Sequence, residues 1–294
     1  MITISKNTGA PEFGSISEFG PVVLLSEAGN AISDAIFDIG RRNPSVSLLR
    51  HVVMPDHIHF VIHVKERLSR PLGVIIQKFK ANATHELRRR LNDPDVEPFR
   101  PNFHDRILRA KGQLDVVLRY VEDNPRRLWI KKRNPDLFRR INHLNINGIE
   151  FLAFGNMFLL RDFDRYPVMV HRSLTSDEKR RQREEWVMAV RSGGVLVSPF
   201  ISAEEKEIRD LAISEGGRLI MLSQESVGER FKPPGRLFDL CAMGRLLMLF
   251  PWADRVKNSG VDRTEALRMN RMAELICSAE LSLKIVNGSA DHGR

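Results

Sequence analysis

Two residue patterns in this sequence could do chemistry. The first is His57-Ile58-His59, inside the run HIHFVIHV at residues 57–64. The run predicts a strand, with Pro55 and Asp56 as punctuation before it. Side chains on a strand alternate faces, so His57, His59, Val61 and His63 share one face. Ile58, Phe60, Ile62 and Val64 share the other, which is wholly apolar and suits a core. Two imidazoles at i and i+2 can point at one ion from a rigid platform. Imidazole suits Mn, Zn, Fe or Ni; for Mg, substrate oxygens would have to complete the shell. Surface histidines beside a core strand would give the same pattern. The second pattern is Tyr120, one of two tyrosines in the chain. The stretch Gln113 to Asp123 reads as a helix that Asn124 and Pro125 end. Tyr120 and Asn124 lie four apart and project from one helix face. A phenol is a covalent nucleophile when deprotonated or when its target is polarised, and Asn124 offers a carbonyl oxygen as a third ligand. A tyrosine on a helix is also a common half-buried packing residue.

Taken together, the patterns describe a reaction. An ion held by His57, His59 and Asn124 would act as a Lewis acid on a phosphodiester oxygen, and Tyr120 would attack the phosphorus in line. A phosphotyrosine keeps the energy of the phosphodiester, so rejoining needs no high-energy cofactor. The sequence has no GxxxxGK[ST] loop, in agreement.

The elements that must position these groups form two unlike halves. In the first, Ile2 to Ser5, Pro21 to Leu25, Val46 to Met54 and His57 to Val64 read as strands. Asn30 to Arg42 has helical apolar spacing. Pro71 to Arg90 reads as a long helix with Leu72, Ile75, Ile76, Phe79, Ala83 and Leu87 buried. Strands and helices without a regular βαβ rhythm suggest α+β: an antiparallel sheet with helices packed on it. Phe151 to Leu160 is expected to pack back onto this half. Thr175 to Val190 reads as a charged connecting helix capped by Thr175 or Ser176. In the second half, Gly194 to Ser198, Arg218 to Leu222 and Arg245 to Phe250 read as strands, with Ala203 to Glu215 a helix between the first two and Arg263 to Leu281 a closing helix. That predicts a small α/β domain with a parallel sheet. The expected boundaries are 1–166, 167–193 for the connecting helix, and 194–288.

Four segments, in order, resemble one family. Met54-Pro55-Asp56-His57-Ile58-His59 is similar to the M-P-N-H-x-H segment of the REP-associated and related insertion-sequence tyrosine transposases, the single-tyrosine HUH enzymes. Phe79-Lys80 with Thr84 resembles their F-K-x-x-x-T helix. Phe103-His104-Asp105-Arg106-Ile107-Leu108-Arg109 resembles their F-H-D-x-x-[IL]-R element, and Tyr120-Val121-Glu122-Asp123-Asn124-Pro125 their Y-[IV]-x-x-N-P signature. The chain has Asp56 where the family often has Asn, and Arg100-Pro101-Asn102 where it often has Trp-Gln. The resemblance covers about residues 1–165. It implies a ferredoxin-like HUH domain, His57, His59 and Asn124 as ligands of Mg or Mn, and Tyr120 as nucleophile. It also implies a transposase that cuts and rejoins single-stranded or hairpin DNA through a 5′-phosphotyrosine. Family members include dimers and monomers, so a homodimer is one state it allows. The other reading is a catalytically inactive or domesticated sequence-specific DNA-binding protein with the same fold. The second half is faintly similar to the Rossmann-like half of DNA-processing proteins; without G-x-G-x-x-G, nothing argues for a dinucleotide.

Charge agrees with a polyanionic partner. The net charge is +9, and residues 65–140 hold 20 Lys and Arg against 10 Asp and Glu, so the rest of the chain is near neutral. Lys78, Lys80, Arg88, Arg106, Arg109, Arg126 and Arg127 are candidate phosphate contacts, each of which could equally be solvated helix surface. No apolar run is long enough to span a bilayer, and Met1 to Ser5 does not read as a secretory signal. Cys241 and Cys277 are far apart and in no metal-like spacing, so a reduced, cytoplasmic protein is expected.

Overall fold

The computed structural model describes residues 1–171, 173–225, 227–229, 231–252, 262–278 and 280–285. These divide into two compact units, Met1–Arg133 and Asn134–Arg294. The first unit runs β1 (Ile2–Ser5), β2 (Gly14–Ile16), β3 (Val23–Leu25), α1 (Glu27–Arg42), β4 (Val46–Val53), β5 (His57–Val64), α2 (Leu72–Leu91), β6 (His104–Asp105) and α3 (Gln113–Arg133). Its main sheet has the order β4-β5-β1-β6 and every pairing in it is antiparallel. The strand read from residues 57–64 has those same bounds, and both of its faces are used as the alternation requires. Ile58 and Phe60 are fully buried in a core with Ile2, Ile4, Ile32, Ile36, Ile76 and Phe79, so α1 and α2 cover that face. The opposite face meets α3, where Val61 packs with Val117 and Val121. Ser26 caps α1 by accepting the Gly29 amide. Asn92, in the left-handed region at φ 49°, stops α2 and donates its N–H to the Arg88 carbonyl.

One boundary in this unit corrects the sequence reading. Helix α3 does not end at Asn124-Pro125 but continues to Arg133 with Pro125 inside it. Proline removes one intrahelical N–H and crowds the carbonyl four residues back, a cost of about 3 kcal/mol in a helix interior. Burial keeps the helix going: Asn124 and Arg127, on either side of the proline, are both buried.

The second unit contains β7 (Arg139–Ile146), β8 (Ile149–Gly155), β9 (Arg165–Pro167), α4 (Ser176–Arg191), β10 (Val195–Ser198), α5 (Ala203–Ser214), β11 (Arg218–Leu222), α6 (Gly235–Ala242), β12 (Leu246–Pro251), α7 (Arg263–Ile276) and β13 (Leu283–Ile285). A seven-stranded sheet has the order β13-β7-β8-β12-β11-β10-β9. The four strands β9 to β12 are parallel, as the βαβ rhythm predicts, but β8, β7 and β13 join antiparallel. The sheet is therefore mixed, and the expectation of a parallel one holds for its β9–β12 part alone.

The expected boundary at 166 moves to 133, because Phe151 to Leu160 belongs to the second unit. Strand β8 pairs with β12, so that Phe151 faces Pro251 and Leu152 faces Phe250. Leu159 and Leu160 lie in the same core as Leu247 and Met269. The helix taken as a connector is part of this unit too: Trp186 and Val190 of α4 line one small cavity with Leu196, Ile208 and Ala212. Thr175, not Ser176, is its N-cap, in a reciprocal capping box with Glu178. The end of the expected second domain, at 286–288, lies outside the described residues. Phe60 stands at the centre of the first unit, its ring 5.6 Å from that of Phe79. Phe60→Ala is expected to cost about 3–5 kcal/mol in the unfolding of Met1–Arg133. Urea unfolding followed by circular dichroism measures it, and a loss under about 1 kcal/mol would contradict this packing.

Candidate active site

Strand β5 and helix α3 bring the two sequence patterns together within one chain. The His57 and His59 ring centroids are 4.6 Å apart with planes at 74°. The His59 and Tyr120 ring centroids are 5.6 Å apart at 60°. Tyr120, Asn124 and Arg127 share one face of α3 by their i, i+4, i+7 spacing. The Arg127 guanidinium carbon lies 5.8 Å from the Tyr120 ring centroid. His59, Asn124 and Arg127 are all buried, at 5%, 5% and 8% exposure, and buried polar groups at this depth need partners. His63 is exposed at the far end of the strand, beyond Val61.

The ring nitrogens are unequal in their surroundings. His57 Nδ1 is 2.6 Å from Asp56 Oδ1, and His59 Nδ1 is 2.8 Å from Thr3 Oγ1. Thr3 stands directly across from His59 in the ladder and across from His104 on its other side. The three side chains therefore share one sheet face. His104 and Asp105 are neighbours on β6 and so point to opposite faces of the sheet. In each of His57 and His59 the Nδ1 atom is engaged as described, and Nε2 is the nitrogen that would ligate an ion. Asn124 donates its side-chain N–H to the Tyr120 carbonyl at 2.7 Å, which leaves its amide oxygen as an acceptor. Two imidazole nitrogens and one amide oxygen are a donor set suited to a divalent ion such as Mn. Among the described residues no three His, Cys, Asp or Glu side chains gather as a metal site, so such a site would depend on the Asn124 oxygen for its third protein ligand.

Two features keep α3 on the sheet. Val61, Val117 and Val121 form the apolar contact, with Met1, Val52, Leu108, Leu118 and Tyr120 packed around it. A register shift between Leu48 and Arg50 in β4 puts Arg50 opposite Val61, on the α3 side. From there Arg50 reaches Glu122 at 2.9 Å. Both partners are about half exposed, so this pair adds at most about 1 kcal/mol. Thr3 and Arg50 escape a reading of the sequence because their roles depend on strand register.

The cations expected to meet phosphate divide into two groups. Lys80 donates to the Arg100 and Pro101 carbonyls at 2.5 and 2.8 Å, and desolvation holds its pKa below the usual lysine value. Arg88 Nε donates to the Val96 carbonyl at 3.1 Å. Both tie α2 to the loop that precedes β6. Arg126 is paired with Asp123 at 2.5 Å. Lys78, Arg106 and Arg109 are exposed. Arg127 is in contact with the Tyr120 ring.

No family model matches the chain. A protein of Haemophilus influenzae, itself uncharacterised, is 24% identical over 145 residues, covering 42% of this chain and 78% of its own length. Among solved structures, a REP-associated tyrosine transposase bound to a REP hairpin is 19% identical over 44% of this chain and 68% of its own, at a TM-score of 0.33. No helix of the described residues is long and apolar enough to cross a membrane.

The division among the cations is testable. Lys80→Ala removes two bonds from a charged donor and is expected to cost about 1–3 kcal/mol of stability, whereas Lys78→Ala stays within about 0.5 kcal/mol. Paired denaturant titrations measure both, and equal losses would contradict the division.

Proposed function

We propose that this protein is a divalent-metal-dependent transesterase of single-stranded DNA, with Tyr120 as its nucleophile. The observation that carries the reading is the convergence of the Tyr120 ring, His57 and His59 in one site of one chain. An exchange of helices between copies is not needed to bring these rings together. His57, His59 and Asn124 would hold the ion. When bound, it supplies Lewis-acid polarisation of a phosphodiester oxygen.

The chain's own groups do the rest. Tyr120 Oη attacks the phosphorus and loses its proton. The bond from phosphorus to the 3′ oxygen breaks, and that oxygen leaves as a hydroxyl after taking up a proton. The 5′ phosphate stays on Tyr120, and attack by another 3′ hydroxyl reverses the step and rejoins a strand. Arg127, beside the phenol, places positive charge where the phosphate would sit, a favourable arrangement for developing negative charge. Lys78, Arg106 and Arg109 are proposed as phosphate contacts along the strand. Four ordered motifs resembling one transposase family, in residues 54–125, support the same reading. A role in moving or rejoining DNA elements with hairpin ends is part of this proposal.

Incubation with single-stranded oligonucleotides from the DNA flanking its gene, with Mg or Mn, is expected to give a denaturant-resistant protein–DNA adduct. Chelator and Tyr120→Phe should each abolish it. An adduct that persists in Tyr120→Phe would remove Tyr120 as nucleophile. For binding, alanine at Lys78, Arg106 or Arg109 should each lower the slope of log K against log salt by about 0.7; unchanged slopes would remove them as phosphate contacts.

A further inference from the structure

The two histidines of β5 are presented by different chemistry. A carboxylate that is ionised only accepts hydrogen bonds, whereas a hydroxyl both donates and accepts. At 2.6 Å from Asp56 Oδ1, His57 Nδ1 must therefore carry the hydrogen, and in the neutral ring Nε2 then carries the lone pair. The Thr3 hydroxyl beside His59 is compatible with either tautomer.

The backbone that carries Asp56 is pinned on three sides. Lys6 donates its N–H to the Asp56 carbonyl at 2.9 Å, Phe13 donates to the Pro55 carbonyl at 2.9 Å, and Met54 donates to the His57 carbonyl at 2.8 Å. The carboxylate is itself largely exposed, at 71%, while the His57 side chain is only 16% exposed. A solvated acid on a fixed turn thus reaches over a half-buried ring. Nothing about a turn requires that contact, since Asp and Asn serve turns through their own backbone.

We infer that Asp56 is a positioning residue that locks His57 in the tautomer with hydrogen on Nδ1, leaving Nε2 ready to ligate. This deepens the metal-site reading above and rests on it. Free neutral histidine prefers hydrogen on Nε2, the form that cannot ligate through that atom. A carboxylate on the other nitrogen reverses the preference and fixes the ring. Asparagine, the residue found more often at this place in the family that the sequence resembles, can accept the same hydrogen bond through its side-chain oxygen. The negative charge is what distinguishes this chain.

Long-range proton–nitrogen correlation spectra of the full-length protein without metal, at a pH where both rings are neutral, report each tautomer directly. His57 is expected with hydrogen on Nδ1. Asp56→Ala should move it toward hydrogen on Nε2 and weaken Mn affinity, measured by calorimetry, by about 10–100-fold. Asp56→Asn should keep the Nδ1 form and restore most of that affinity. Unchanged His59 signals show that the strand is intact in each variant. A wild-type His57 with hydrogen on Nε2, or an Asp56→Ala spectrum like that of wild type, overturns the inference. A locked His57 in a wild type that binds no Mn supports the positioning role and overturns the metal reading.

Discussion

The site depends on one constraint, that strand β5 is buried on both faces. Ile58 and Phe60 must enter the core beneath α1 and α2, and their exposures are zero. That commitment fixes the register, because a slip of one residue would exchange the faces and put imidazoles among Ile32, Ile36 and Ile76. With the register fixed, His57 and His59 have nowhere to project except toward α3. The helix is held there chiefly by Val117 and Val121 packed on Val61, with the half-exposed Arg50–Glu122 pair adding little. Apolar packing thus supplies the rigidity, and the polar groups are free to be arranged for chemistry.

The same constraint explains why α3 tolerates Pro125. A helix that ended at Asn124 would leave that residue at a frayed terminus. Continuing to Arg133 buries Asn124 and Arg127 in the body of the helix, one turn and two turns beyond Tyr120. The bond from the Asn124 amide to the Tyr120 carbonyl then orients the amide group in the stretch where proline has removed a backbone donor. The cost of the proline falls at the place where the side chains must be held.

Much of the first unit was legible because its signals are local. The alternation in residues 57–64 reports both faces of β5, and the spacing from Ile75 to Leu87 reports the buried stripe of α2. Contacts that depend on register were not legible: Thr3 beside His59, Arg50 on Glu122, and the two-residue strand β6. Helix α3 was cut short because proline is ordinarily a stop, and only tertiary burial overrides it. In the second unit, Val195–Ser198 and Arg218–Leu222 announce themselves as continuous apolar runs. Strand β7, with Arg139, Arg140, Asn142, His143 and Asn145 among its eight residues, has too little apolar content to do so. Missing it also displaced the boundary, since β7 and β8 are what bind residues 139–155 to the later sheet.

Charge is the signal that most needs the structure to interpret it. The block at 65–140 reads from the sequence as a single basic footprint. Part of it is committed to the fold: Arg89 and Arg90 close on Glu86, Arg90 also reaches Asp34, and Lys80 and Arg88 hold backbone carbonyls. Glu86, between its two arginines, has its pKa drawn down to about 2, the mark of cations already neutralised locally. A cation whose charge is spent on a neighbouring carboxylate contributes little to the field that a phosphate chain would meet, because the pair looks neutral beyond about one Debye length. The field at the surface is set by the cations that the fold leaves exposed, Lys78, Arg106 and Arg109 among them. A net charge already subtracts such pairs, so what the fold adds is which of the remaining cations it leaves to the solvent.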